Sequence, residues 1–112
     1  MDYGGFVYML ASGKHGTLYV GVTARFAERI YEHREHLMDS FTARHKVTRL
    51  VWYEQHATIE LAIAREKQIK HWKRDWKINR IEIDNPHWDD LAVGLFGYQP
   101  TGIRHPREGG GP

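Results

Sequence analysis

Two short apolar and aromatic runs, Phe6 to Leu10 and Leu18 to Val22, flank the segment Ser12-Gly13-Lys14-His15-Gly16. Glycines in a polar segment between two such runs specify a tight reversal, so the chain opens with a β-hairpin. Side chains alternate between the faces of a strand. Phe6, Tyr8 and Leu10 therefore share one side of the first strand, and Tyr19, Gly21 and Thr23 share one side of the second. Each strand carries one tyrosine able to meet its counterpart across the pair. Gly21 leaves bare backbone beside Tyr19, which suits either close approach of another group or a bulge or twist.

At 112 residues the chain is long enough for one domain with an ordinary core. It has no cysteine, which excludes disulfides, Cys-based zinc sites and thiol catalysis, and fits a reducing cytoplasm. No apolar run approaches the roughly 18 residues of a membrane span, and Met1-Asp2-Tyr3 does not begin a signal peptide. A soluble, cytoplasmic protein without membrane contact is expected. The net charge of +2 makes no case for a nucleic-acid partner, and its distribution says more than its total. Arg65, Lys67, Lys70, Lys73, Arg74, Lys77 and Arg80 face only Glu66 and Asp75 between positions 65 and 80. Such a basic stretch can track a phosphate backbone. Taken alone, it reads better as a solvated helix face with Trp72 and Trp76 in the core.

After the hairpin, Thr23 is a plausible N-cap for a helix running to about Leu37. Phe26, Ile30 and Leu37 fall in one narrow sector at about 100° per residue. Arg29 lies about 60° from Phe26, and His33 lies between Phe26 and Leu37. Each has a plain structural explanation, an arginine stem crossing the core edge and a satisfied interior histidine. Asp39 to Lys46 reads as a polar loop, and Val47 to Glu54 as a third strand. Thr58 is a candidate cap for a second helix. There Ala62, Ile63 and Ile69 lie within about 80° of Ile59, with Glu66 near the middle of that sector. A carboxylate aimed at an apolar side is normally neutralised, paired or metal-bound. An internal salt bridge, to Arg29 for example, and a metal ligand stand equal on periodicity alone. His71 to Ile83 continues as helix after a bend or break, with Trp72, Trp76 and Ile83 as an apolar stripe whose tryptophans are expected in the core rather than as base-stacking platforms. Asn85-Pro86 ends regular structure. Residues 1–92 are expected to form the domain and 93–112 a flexible Gly/Pro-rich tail.

Phe6-Val7-Tyr8 and Tyr19-Val20-Gly21, followed by Arg29, His33 and Glu66, resemble the signature of the GIY-YIG endonuclease superfamily. The resemblance covers residues 5 to 90 and is nearest to small stand-alone bacterial members, similar to the nuclease domain of the excision-repair incision subunit. Phe6 and Val7 depart from the motif's Gly and Ile, yet both suit a strand. The resemblance implies an α/β fold, a small mainly antiparallel three-stranded sheet flanked by helices, and hydrolysis of phosphodiester bonds in nucleic acid, with DNA as substrate and repair as the setting. It implies one Mg²⁺ or Mn²⁺ held by Glu66, an oxygen-ligand pattern that suits a carboxylate with phosphate and waters. In that mechanism Tyr8 takes the proton of the attacking water. A free phenol has a pKa near 10, so a cation or arginine must favour phenolate. Arg29 clamps the scissile phosphate. Tyr19 positions water or phosphate, and His33 orients a tyrosine or joins the proton transfer. Lys67, Lys70, Lys73, Arg74 and Lys77 supply the nucleic-acid-binding surface.

Other chemistries fit poorly. His33-Arg34-Glu35-His36 lacks the i,i+4 histidine pair of a zinc protease helix, and Gly13-Lys14 sits in a hairpin rather than a phosphate loop. Two readings from other classes stand beside the nuclease. One is a non-cleaving nucleic-acid-binding module that depends on a protein partner for target recognition. The other is a protein-interaction domain using an exposed sheet edge.

Overall fold

The computed structural model describes residues 4–35 and 44–98. Strand β1 (Gly5–Ala11) turns through the hairpin into β2 (Leu18–Thr23) and also pairs, antiparallel, with β3 (Arg49–His56). The sheet order is β2-β1-β3, so the first strand is the central one. The small antiparallel three-stranded sheet flanked by helices is the architecture expected from the sequence. The turn differs in one detail. The left-handed residue is His15, at φ 59°, whereas Gly16 is required by close approach, since a Cβ there would lie 2.3 Å from Ser12 Oγ. Ser12 Oγ also accepts the Thr17 amide at 2.9 Å, closing the loop.

Alternation along β1 gives the sheet two unlike faces. Val7, Met9 and Ala11 enter one core, covered by Ala62 and Ile69 of α2 (Ile59–Lys70) and Ile81 of α3 (Arg74–Asp84). Tyr8 and Leu10 enter a second core with Ile30 of α1 (Phe26–Arg34) and Ala92 of α4 (Leu91–Phe96). A bulge between Met9 and Leu10 sets Leu50 and Trp52 of β3 against successive residues of β1. Leu50 thereby joins the second core and Trp52 the first.

Several local expectations need correction. Helix α1 begins at Phe26, and its N-cap Arg25 makes no side-chain capping bond. The Thr23 hydroxyl instead accepts the Arg25 amide at 2.9 Å, shaping the turn before the helix. Thr58 does cap α2, accepting the Leu61 amide at 3.1 Å. The break between the two later helices falls at His71 to Lys73, as the sequence indicated. Regular structure does not end at Asn85-Pro86. Asp90 caps a further helix, α4, which crosses the expected boundary at residue 92. Helix α4 is held by a buried pair, Arg34 to Asp90 at 2.9 Å, and by Asp90 accepting the Leu50 amide at 3.4 Å. Trp76 is 58% exposed and Ile63 37% exposed, so neither is core. Arg44 and His45 are helical rather than looped. Positions 36–43 and 99–112, including Leu37, His36 and the end of the tail, lie outside the described residues.

Candidate active site

Tyr8 sits on the central strand with its ring fully buried. Its cross-strand partner is Gly21, and Tyr19 pairs with Leu10 one step along the same face. The bare Gly21 backbone lets the Tyr8 ring lie across β2: a Cβ at 21 would sit 2.5 Å from Tyr8 Cζ and hydroxyl and 2.9 Å from Tyr19 Cε2. The two phenol rings stand 6.3 Å apart between centroids. Between the two readings of this strand glycine, close approach holds.

Helix α1 closes the group from above. His33 is 1% exposed, and its Nε2 shares a 2.9 Å hydrogen bond with the Tyr8 hydroxyl. Its ring lies 5.4 Å from that of Tyr19. Phe26, at the start of the helix, stacks on Phe6 at 4.4 Å and 8°. The phenylalanine that replaces the motif glycine at position 6 therefore packs under the same helix that delivers His33.

Arg29 is half-exposed, with Nε 3.4 Å from Glu32. It acts on the buried groups through its field. Burial pushes the Tyr8 phenol well above its ordinary range, Tyr19 adds to that, Arg29 opposes it, and Glu32 and Glu66 raise it further. Burial, with help from the Arg29 charge, lowers His33 to about 4. At neutral pH the pair is thus a neutral phenol bonded to a neutral imidazole.

Glu66 is only 8% exposed although it lies on a charged helix. Its partner is Lys70, one turn on, with Nζ 2.5 Å from the carboxylate. The suggested pairing with Arg29 is not found. Helix α2 packs on the sheet face opposite the tyrosines, yet Glu66 still contributes to the Tyr8 potential. Tyr8, Tyr19 and His33 thus pack together on the α1 side of the sheet with the Arg29 charge beside them, whereas Glu66 belongs to the helix on the other side and is linked to Tyr8 only through its charge. Glu32 is the member that sequence reasoning missed. Its i,i+3 spacing from Arg29 was the available signal.

Among the described residues no group of three or more His, Asp or Glu side chains could hold a metal ion together. A metal here would have Glu66 as a protein ligand, with other positions filled by water and phosphate oxygens. A single buried carboxylate fits the habit of Mg²⁺. On the basic stretch, Lys67, Lys70, Lys73 and Arg74 are exposed and Lys77 half-buried. Arg74 is committed to the hairpin, donating to the His15 and Gly16 carbonyls at 2.7 and 2.8 Å. Among the described residues no helix is long and apolar enough to cross a membrane.

Comparison with curated proteins and with solved structures returned no match. A family model described as the GIY-YIG catalytic domain matches residues 4–79, from the start of β1 through the first half of α3. That span contains Tyr8, Tyr19, Arg29, His33 and Glu66, and on it the chain belongs to the GIY-YIG catalytic domain family, a family of endonucleases.

Proposed function

We propose that this chain is a divalent-metal-dependent endonuclease that hydrolyses phosphodiester bonds in DNA. The observation that carries the reading is the 2.9 Å bond between the buried Tyr8 hydroxyl and a neutral His33, with the Glu66 charge felt at the phenol. A raised phenol is a poor source of phenolate, so Tyr8 works best as a relay. As water attacks phosphorus, its proton passes to the Tyr8 oxygen while the Tyr8 proton passes to His33 Nε2. The P–O bond to the departing strand breaks and its oxygen takes a proton from solvent, while His33 gives up the relayed proton to solvent, which restores the neutral Tyr8–His33 pair.

Arg29 exchanges Glu32 for a phosphate oxygen, since a guanidinium binds phosphate more strongly than a half-exposed carboxylate at 3.4 Å. Tyr19, beside His33, holds water or phosphate by its hydroxyl. Mg²⁺ or Mn²⁺ on Glu66 would neutralise charge developing on the phosphoryl oxygens. Binding of the ion requires Lys70 to leave the carboxylate, which frees an ammonium for the backbone of the nucleic acid.

Plasmid nicking with Mg²⁺ or Mn²⁺ tests this directly. Glu66→Ala should abolish cleavage while retaining binding. Equal cleavage by both proteins would remove Glu66 from the mechanism. Binding without cleavage by the wild type across all metals would favour the partner-dependent binding module.

A further inference from the structure

We propose that Trp76 is a stacking platform for an unpaired base, so that the favoured substrate carries a single-stranded segment such as a flap, gap or branch. This deepens the nuclease reading and rests on it only in assigning the bound strand to the substrate. An aromatic ring this exposed on a folded surface is uncommon, and Trp76 differs sharply from Trp52 and Trp88, which are 2% and 0% exposed.

The ring is held rather than loose. Its neighbour Trp72 meets it edge-on, with centroids 6.3 Å apart at 68°. Trp72 packs against the core, and Arg65 lies over its ring at 5.2 Å. Arg65 is itself fixed by Glu54 at 2.9 Å and by Gln68 at 2.6 Å. A supported aromatic surface loses little conformational freedom when a base settles on it.

Its surroundings fit a polyanion. Lys73 and Lys77 lie within about 100° of Trp76 around α3, and neither meets an acid among the described residues. Lys67 on α2 is also exposed and without an acidic partner among the described residues. Of the residues one, three or four positions from Trp76, Asp75 is the acid, and by helical spacing it lies on the flank away from these lysines. Ile83, two turns along and 72% exposed, would also suit a protein partner, but Arg80 and Asn79 separate it from Trp76. Cations around a single supported ring favour a nucleic acid strand. Bases inside a duplex are already stacked and offer no face to a side chain, so the platform selects an unpaired one.

The test is binding in the presence of a chelator, so that cleavage plays no part. Tryptophan quenching and anisotropy are read with oligothymidine and with a duplex of equal length. Trp76→Leu should weaken oligothymidine binding roughly 5- to 150-fold, the loss that removing one stacked base produces, and leave duplex binding unchanged. Trp76→Phe should recover most of it. Lys73→Ala and Lys77→Ala should weaken both ligands alike and each lower the salt slope by about 0.7 on the single strand. Equal oligothymidine affinity for the Trp, Phe and Leu proteins overturns the proposal and leaves the face to a protein partner. If Trp76-dependent binding persists but no metal supports nicking, the platform stands and the nuclease reading falls. Nicking without Trp76-dependent binding does the reverse, overturning the platform and keeping the nuclease.

Discussion

Gly21 lies directly opposite Tyr8, and a methyl group at position 21 would fall 2.5 Å from the phenol hydroxyl. The glycine is therefore a steric condition for the Tyr8–His33 bond. Gly21→Ala should fold with a loss of about 1–3 kcal/mol, the usual cost of overpacking. Cleavage should fall by about 100-fold, because a small displacement of the phenol breaks the relay. Thermal melts and nicking rates measured together separate the two effects. Full activity in the alanine variant would show that the close approach is not needed.

The Tyr8–His33 pair also sets a pH dependence. His33 is lowered to about 4 by burial, from an ordinary 6.5, so the unfolded chain binds a proton more readily than the folded one across that interval. Stability is then full above about pH 6.5 and declines as pH falls towards 4. Between pH 7 and pH 5 the decline from this group is on the order of 2 kcal/mol. Urea melts at the two pH values should show it in the wild type and much less of it in His33→Gln. Tyr8→Phe should keep the fold within about 1–2 kcal/mol and lose cleavage by at least about 100-fold. Tyr19→Phe should cost less activity, since the variant keeps the ring that packs against His33.

Lys70 and a divalent ion compete for the same carboxylate. Mg²⁺ should raise the melting temperature of the wild type by a few degrees, by preferential binding to the folded state. The rise should be larger in Lys70→Met, where no ammonium opposes entry, and absent in Glu66→Gln. A rise of equal size in all three would place the ion elsewhere.

Helix α4 is anchored at its cap by a buried ion pair, with Arg34 and Asp90 side chains 7% and 4% exposed. Asp90→Ala removes the carboxylate that faces the buried Arg34 guanidinium and removes a helix cap, so a loss of about 3–5 kcal/mol is expected. Pairing it with Arg34→Met should recover part of that loss, because a buried charge without its carboxylate counter-ion is then gone. Chemical denaturation of the two single variants and the double one measures the coupling.

The sequence by itself determined the hairpin, the face shared by Tyr8 and Tyr19, and the inward phase of His33 and Glu66, because strand alternation and helical periodicity are local rules carried by neighbouring residues. Tertiary structure alone decided the rest. Glu66 meets Lys70 rather than Arg29, since α2 packs on the opposite face of the sheet from α1 and only its field reaches Tyr8. Helix α4 exists because Arg34 and Leu50, each at least 40 residues away in sequence from Asp90, converge on its cap. Trp76 faces solvent although it repeats the apolar spacing of Trp72, because Ile81 and Ile78 already fill the contact between α3 and the sheet. Periodicity states which residues share a side of an element. Which side meets the core depends on partners distant in the chain, and those are set only when the layers pack.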